Sequence, residues 1–129
     1  MSEYKTEILE IVNNPNYIYY KLYVDGKCAF DEFLKEVSRN VADKKNLEGI
    51  IAYMDFLNAQ LLHNTIYNHI QDNERADLYE FKKKNLRVYV IDQRPEIFVV
   101  MGGYKVNQKK DIAKFKNKVK DFPQKTNLK

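Results

Sequence analysis

The chain has few residues that would bind it covalently or tie it to a metal: one cysteine, two histidines and no tryptophan in 129 residues. A lone Cys28 rules out an intramolecular disulfide. It opens an expected helix but has no base beside it, so a small buried thiol describes it better than a nucleophile. His63 and His69 have neither a companion Cys pair nor an HExxH spacing, which leaves zinc without a ligand set; both are read as structural. No apolar run is long enough for a signal peptide or a membrane span, so the expected setting is a reducing cytoplasm with no membrane partner. The chain also lacks internal repeats and low-complexity tracts.

Hydrophobic residues make up 44% of the chain and aromatics 13%, enough for a packed core despite a mean hydropathy of −0.62. The length fits one domain, 1–129. A tyrosine can offer its hydroxyl to a phosphate or its ring to a base, but most of the ten here are expected simply to pack at the core margin. Charge is strongly polarised. Residues 78–122 carry 12 Lys+Arg against 5 Asp+Glu, net +7, whereas residues 1–77 carry 8 against 13, net −5. Such a local positive field, hidden by the overall +4, favours a polyanion, so nucleic acid is the first partner to consider.

Along the chain, residues 1–15 read as a polar leader with one short helix through Ile8, Leu9 and Val12, ending at Asn13-Asn14-Pro15. Residues 17–24 (YIYYKLYV) are aromatic and branched enough for a strand, closed by an Asp25-Gly26 turn. Phe30, Phe33, Leu34, Val37 and Val41 follow helical spacing, as do Leu47, Ile50, Ile51, Met54, Leu57 and Leu61. Two amphipathic helices are therefore expected as a hairpin turning at residues 42–46. Residues 63–77 give no clean signal. Three strand-like runs follow, LYEFKKK, LRVYVID and EIFVVMGGYK, with turns at Lys84-Asn85 and Gln93-Arg94-Pro95 short enough for an antiparallel meander. A last helix from Asn107 puts Ile112, Phe115, Val119 and Phe122 on one face and Lys110, Lys114, Lys116, Lys118 and Lys120 largely toward solvent, with Pro123 ending it and 123–129 a flexible tail. The expected fold is α+β: a small twisted, mostly antiparallel sheet in the order β-α-α-β-β-β-α, with the helical hairpin on one face.

Within the meander, period-two alternation places Glu80 and Lys82 opposite Tyr79 and Phe81, and Arg87 and Tyr89 opposite Leu86, Val88 and Val90. With the Leu86 set toward the helices, Arg87 is expected on an open face of the sheet. Its guanidinium suits a phosphate, which it can clamp with two parallel hydrogen bonds. The competing expectation is a strand Arg paired with Glu80.

The order of elements, with Leu78-Tyr79-Glu80-Phe81, Arg87 and Gly103-Tyr104-Lys105 leading into a basic helix, resembles the RelE/ParE superfamily of type II toxins, closest to its HigB-like branch. The resemblance is clearest over 78–122. It implies a RelE-like fold and a ribosome-dependent endoribonuclease that cleaves mRNA and is silenced by a cognate antitoxin, a helix-turn-helix protein. The chemistry implied is metal-independent and cofactor-free, with the RNA 2′-hydroxyl as nucleophile. It needs a base for the 2′ proton, a cation for the phosphorane charge and an acid for the departing 5′ oxygen. Arg87 is the candidate clamp; Glu80 or a lysine of the Lys82, Lys83, Lys84 run is the candidate base, with Lys82 counted in the catalytic set. Tyr104 or Lys105 is the candidate acid or transition-state contact. Lys83, Lys84, Lys109, Lys110 and Lys114 are the candidate nucleic-acid contacts. One departure is plain: the His or Tyr near the carboxyl end of several family enzymes has no counterpart in KTNLK. The alternatives are a non-catalytic ParE-like toxin that binds a protein target such as DNA gyrase, and a degenerate binding protein that keeps the fold alone.

Overall fold

The computed structural model describes residues 2–58 and 64–124. Leu61, His63 and most of the expected tail lie outside the described residues. Among the described residues six strands form one mixed sheet in the order β1-β2-β6-β5-β4-β3. They are β1 (Tyr4–Ile8), β2 (Ile18–Val24), β3 (Tyr67–His69), β4 (Leu78–Lys83), β5 (Leu86–Gln93) and β6 (Glu96–Tyr104). Three helices accompany them: α1 (Ala29–Val37), α2 (Val41–Phe56) and α3 (Gln108–Val119), the last entered through a 3-10 turn at Lys105–Asn107. The α+β class and the mostly antiparallel sheet agree with the sequence reading. Among the described strands only β2 and β6 run parallel, from Ile18 opposite Glu96 to Lys21 opposite Val99.

The meander forms because each strand alternates and each turn is short. β4 and β5 pair from Leu78 opposite Ile91 to Lys83 opposite Leu86, and the Lys84-Asn85 turn takes Lys84 to φ 55, a left-handed conformation that side-chain-bearing residues adopt at a cost of about 1 kcal/mol. β5 and β6 pair with a bulge between Tyr89 and Val90. Two strands were not anticipated. β1 replaces the expected leader helix: Tyr4-Lys5-Thr6-Glu7-Ile8 pairs antiparallel with β2, and its Tyr/Thr/Ile set alternates with Lys and Glu at the strand period rather than the helical one. β3 occupies three residues of the unassigned region and pairs with β4.

The helical hairpin is real, but its corner lies earlier than expected. α1 stops at Val37 and α2 starts at Val41, so the corner is Ser38-Arg39-Asn40 rather than 42–46. Asn40 starts α2 by accepting a hydrogen bond from the Asp43 N–H at 2.9 Å, satisfying one of the donors that a helix start leaves open. Ala42 to Asn46 is the polar first part of α2. Val41 is exposed, so it does not belong to the apolar stripe.

Both faces of the sheet are covered. On one, Phe30, Phe33 and Val37 of α1 and Leu47, Ile50 and Met54 of α2 pack against Phe81, Leu86, Val88, Val90, Ile97 and Val99. On the other, Phe115 and Val119 of α3, with Phe122 just beyond it, pack against Leu22, Leu78, Tyr89, Ile91, Phe98 and Val100. The face expected to be open is therefore the seat of α3.

The end of α3 is fastened by Arg75. This guanidinium is buried and holds Asp77 through Nε at 2.8 Å and a second nitrogen at 2.9 Å, while its remaining nitrogen donates to the carbonyls of Val119 at 2.7 Å and Phe122 at 2.9 Å. The Val119 carbonyl belongs to the set that a helix C-terminus cannot satisfy internally, and it also accepts from the Phe122 N–H at 2.9 Å; Phe122 lies just past the helix. Gln93 adds donors to Asp77 at 3.1 Å and to the Pro123 carbonyl at 2.8 Å. No described helix is long and apolar enough to cross a membrane.

Candidate functional site

The start of α3 lies over a group of polar side chains that the meander projects from its α3 face. Glu80 and Tyr89 are register partners on β4 and β5, as are Lys82 and Arg87, and Gly103 of β6 lies opposite Arg87. Gly103 lets Asp111 in the first turn of α3 settle directly on the strand, since a Cβ there would collide with the Asp111 carboxylate. The strand period and this close approach bring Glu80, Lys82, Arg87, Tyr89 and Asp111 under one helix end.

Glu80 is only 2% exposed. Its two oxygens accept from Gln108 at 2.9 Å and from Asn68 at 3.2 Å, so an amide of α3 and one of β3 close over it. Arg87 is 7% exposed. It donates to the carbonyls of Lys84 at 3.0 Å and Leu86 at 2.8 Å, and its Nε has no hydrogen-bond partner. No carboxylate among the described residues pairs with it, so the expected Arg87–Glu80 alternative is not the arrangement found. A buried cation without a counter-ion is expensive. The Tyr89 hydroxyl is also buried and unpartnered; burial, then the Glu80 and Asp111 carboxylates, push its pKa up and keep it protonated. Burial likewise raises the Asp111 carboxyl, against the pull of Lys114 and Lys110.

The rest of the expected catalytic set is elsewhere. Tyr104 points to the opposite face, its ring 5.7 Å from that of Phe33, because it is the register partner of Leu86. Burial, followed by Glu36 and Asp43, raises its pKa. Lys105 lies exposed in the 3-10 turn, its N–H bonded to the Asn85 carbonyl at 2.7 Å. Lys83 belongs to the hairpin face, with Nζ 3.4 Å from the Tyr53 hydroxyl and 5.4 Å from its ring centre. Lys84, Lys109, Lys110 and Lys114 are exposed, forming a basic rim around the buried group. Lys82 is half-buried at the edge of that rim. His69 lies in β3, with Nε2 3.0 Å from the Ala76 carbonyl.

Sequence reasoning did not single out Asn68, Gln108 and Asp111. The available signal was Asp111 itself, the one acid in the basic run QKKDIAKFKNKVK, a short way along the chain from Gly103, which receives it. Among the described residues no group of three or more His, Cys, Asp or Glu is placed to hold a metal ion. As it stands, the arrangement can present a fixed cation, a carboxylate and a neutral phenol to an anion that reaches under the start of α3. No protein-family model, no curated protein and no solved structure matches the chain.

Proposed function

We propose that the chain is a RelE/ParE-type toxin domain, HigB-like, that cleaves mRNA on the ribosome, with its reactive groups on the α3 face of β4 and β5. The observation that carries this is the buried Arg87 guanidinium, which has no carboxylate partner among the described residues and lies on the same face as Glu80 and Lys82. A fold that needed only stability gains more from an apolar residue there, because an unpaired buried charge costs several kcal/mol, about 3–5 when a pair is broken. A ligand phosphate is the counter-ion that accounts for it. Further support comes from the chain order β2, α1, α2, β4, β5, β6, α3, to which β1 and β3 are additions, and from the exposed lysines that surround the site.

In this mechanism Arg87 holds the scissile phosphate and neutralises the charge that develops on it as the 2′ oxygen attacks. Glu80 takes the 2′ proton once Gln108 releases it, and Lys82 stands beside Arg87 at the rim as a second cation. The products are a 2′,3′-cyclic phosphate and a free 5′-hydroxyl, with the proton on the departing oxygen supplied by a protonated group or water. Lys84, Lys109, Lys110 and Lys114 attract the RNA backbone. Tyr104 takes no direct part, and Lys83 serves the hairpin face. A cognate helix-turn-helix antitoxin is the partner this reading calls for.

A second reading is favoured by one feature. α3 seals the very face on which cleavage would occur, which suits a non-catalytic member that binds a protein such as DNA gyrase, or a degenerate binding protein. Wild type, Arg87→Ala and Arg87→Lys, assayed by primer extension on messages translated in a purified system, separate the two. Loss of the clamp should slow cleavage about a hundredfold or more, with partial recovery by Lys, which restores a charge without the forked geometry. Thermal melts of each variant report whether the buried site still folds. Undiminished cleavage by a folded Arg87→Ala removes Arg87 from the chemistry; no cleavage by wild type favours the non-catalytic reading.

A further inference from the structure

Among the described residues β1 ends the sheet with a strand on one side only, and Lys5, Thr6, Glu7 and Ile8 are all exposed. Its free edge has a definite hydrogen-bonding phase. Asp25 donates to the Glu3 carbonyl at 2.8 Å and Leu9 to the Tyr19 carbonyl at 2.9 Å, so in the β1–β2 register the odd-numbered residues exchange bonds with β2. The N–H and C=O groups of Tyr4, Thr6 and Ile8 therefore point outward. Side chains alternate as well. Tyr4 lies on the α3 face, its hydroxyl donating to the Lys118 carbonyl at 2.7 Å and its ring 5.2 Å from that of Phe122, and Thr6 and Ile8 share that face. Lys5 and Glu7 project on the hairpin side, where Glu7 is 3.3 Å from Lys21.

We propose that this edge is a self-association surface: two copies pair their β1 strands antiparallel about a two-fold axis at Thr6, continuing one sheet into the next. The outward groups of Tyr4, Thr6 and Ile8 then meet those of Ile8, Thr6 and Tyr4 of the second copy in about six main-chain hydrogen bonds. Every cross-strand pair is favourable. Lys5 meets Glu7 of the second copy, and the reverse, at non-hydrogen-bonded positions where side chains are closest; Thr6 meets Thr6; Ile8, 57% exposed in the single chain, covers Tyr4 of the second copy. The charges also select the register. Slipping the axis to Lys5 sets Lys5 against Lys5 and Glu3 against Glu7, and slipping it to Glu7 sets Glu7 against Glu7. Charged edge strands generally repel unrelated partners; here the alternation of sign fits the chain's own copy. Self-association does not depend on the ribonuclease reading.

Sedimentation equilibrium of the full chain from about 1 to 300 µM tests this directly, in the range where small interfaces of about micromolar affinity are populated. The mass should rise toward twice the 15.4 kDa monomer. Thr6→Pro should hold it at the monomer with an unchanged circular dichroism spectrum, since the lost N–H points away from β2 and edge strands accept proline. Lys5→Glu, which sets like charges against Glu7, should weaken association about tenfold or more. For register, Thr6→Cys should form an intermolecular disulfide on mild oxidation, because a hydrogen-bonded antiparallel pair places its Cα atoms about 5.5 Å apart. Lys5→Cys should not, as its two copies are a strand diagonal apart, about 8 Å, beyond disulfide reach. Cys28 is buried and does not compete. A monomer at every concentration, a dimer that survives Thr6→Pro, or crosslinking by Lys5→Cys in preference to Thr6→Cys would overturn the assignment, as would binding of an unrelated protein strand at this edge with no self-association.

Discussion

Replacing Arg75 with Ala should loosen α3 from the sheet more than any other single change outside the apolar core. The side chain is 4% exposed and its partner Asp77 is 16% exposed, so the ion pair is screened little by water. Removal leaves the half-buried Asp77 without its cation and takes the guanidinium donor from the Val119 and Phe122 carbonyls, of which Val119 keeps the Phe122 N–H at 2.9 Å. Breaking a buried pair in this way costs about 3–5 kcal/mol. Gln93 still donates to Asp77, which argues for the lower end, about 3 kcal/mol. For a domain of this size that corresponds to a fall in Tm of about 10 °C. Urea unfolding followed by circular dichroism should show a lower midpoint with an unchanged slope, and amide exchange should quicken in the last turn of α3. Arg75→Lys should recover only part, since one ammonium replaces a fork that reaches three acceptor groups. Lys116→Ala, which removes the outer 3.5 Å contact with Asp72, is the control and should cost less than about 1 kcal/mol. A loss under about 1 kcal/mol for Arg75→Ala would refute the view that this side chain fastens α3.

Asp77 also sets a pH dependence. Burial pushes its carboxyl up, but hydrogen bonds from Arg75 and Gln93 and the Arg75 charge outweigh burial and leave it below the ordinary value. On acidification the unfolded chain therefore takes up this proton first. The stabilisation is whole above the ordinary carboxylate range, about pH 4, and is lost as pH falls through the lower folded value. Asp77→Asn should be less stable at neutral pH and show a shallower loss below about pH 4; an unchanged acid slope would refute the assignment. Tyr89→Phe removes a buried hydroxyl without a partner and should be neutral or up to about 1 kcal/mol more stable in urea melts, whereas a loss above 1 kcal/mol would reveal a bond that the hydroxyl makes. Changing Lys109, Lys110 and Lys114 together to Ala should weaken ribosome co-sedimentation and flatten its salt dependence, the log–log slope falling by about three; unchanged binding would mark these lysines as solvated surface.

The meander was legible because LYEFKKK, LRVYVID and EIFVVMGGYK alternate at the strand period and are joined by short turns. Phe33 and Met54 were legible as core by helical spacing and Val88 by strand alternation, whereas Ile51 of the same helical stripe is half-buried. The location of α3 was not, since an amphipathic pattern shows that a helix buries one face without naming the surface that receives it. The cue was in β5, where Val88-Tyr89-Val90-Ile91 is apolar without a break, the mark of a strand covered on both sides, and the structure buries every residue from Leu86 to Ile91. Taking Arg87 as exposed followed from reading only the Leu86, Val88, Val90 set as core, although Tyr89 and Ile91 are equally apolar on the other side. The candidate site was half legible. Alternation brings Glu80, Lys82 and Arg87 together correctly, and the same alternation, applied across the Leu86–Tyr104 pair, sends Tyr104 to the far face. Asn68 escaped notice because β3, three residues long, is too short for any periodicity to register.

The sheet joins two pieces that are each contiguous in the chain, the β1–β2 hairpin and the β3 to β6 meander, along the four-residue parallel ladder between β2 and β6. That seam has the widest sequence separation of any strand pair here and encloses the whole helical hairpin. The hairpin and the meander can assemble from near neighbours, whereas the seam must close the long loop before its contacts repay the lost chain freedom. The seam is thus the pairing with the largest loop-closure cost in this sheet. A chain with the seam open leaves β2 and β6 each with an unpaired edge, the kind of exposure that favours pairing with a neighbouring chain.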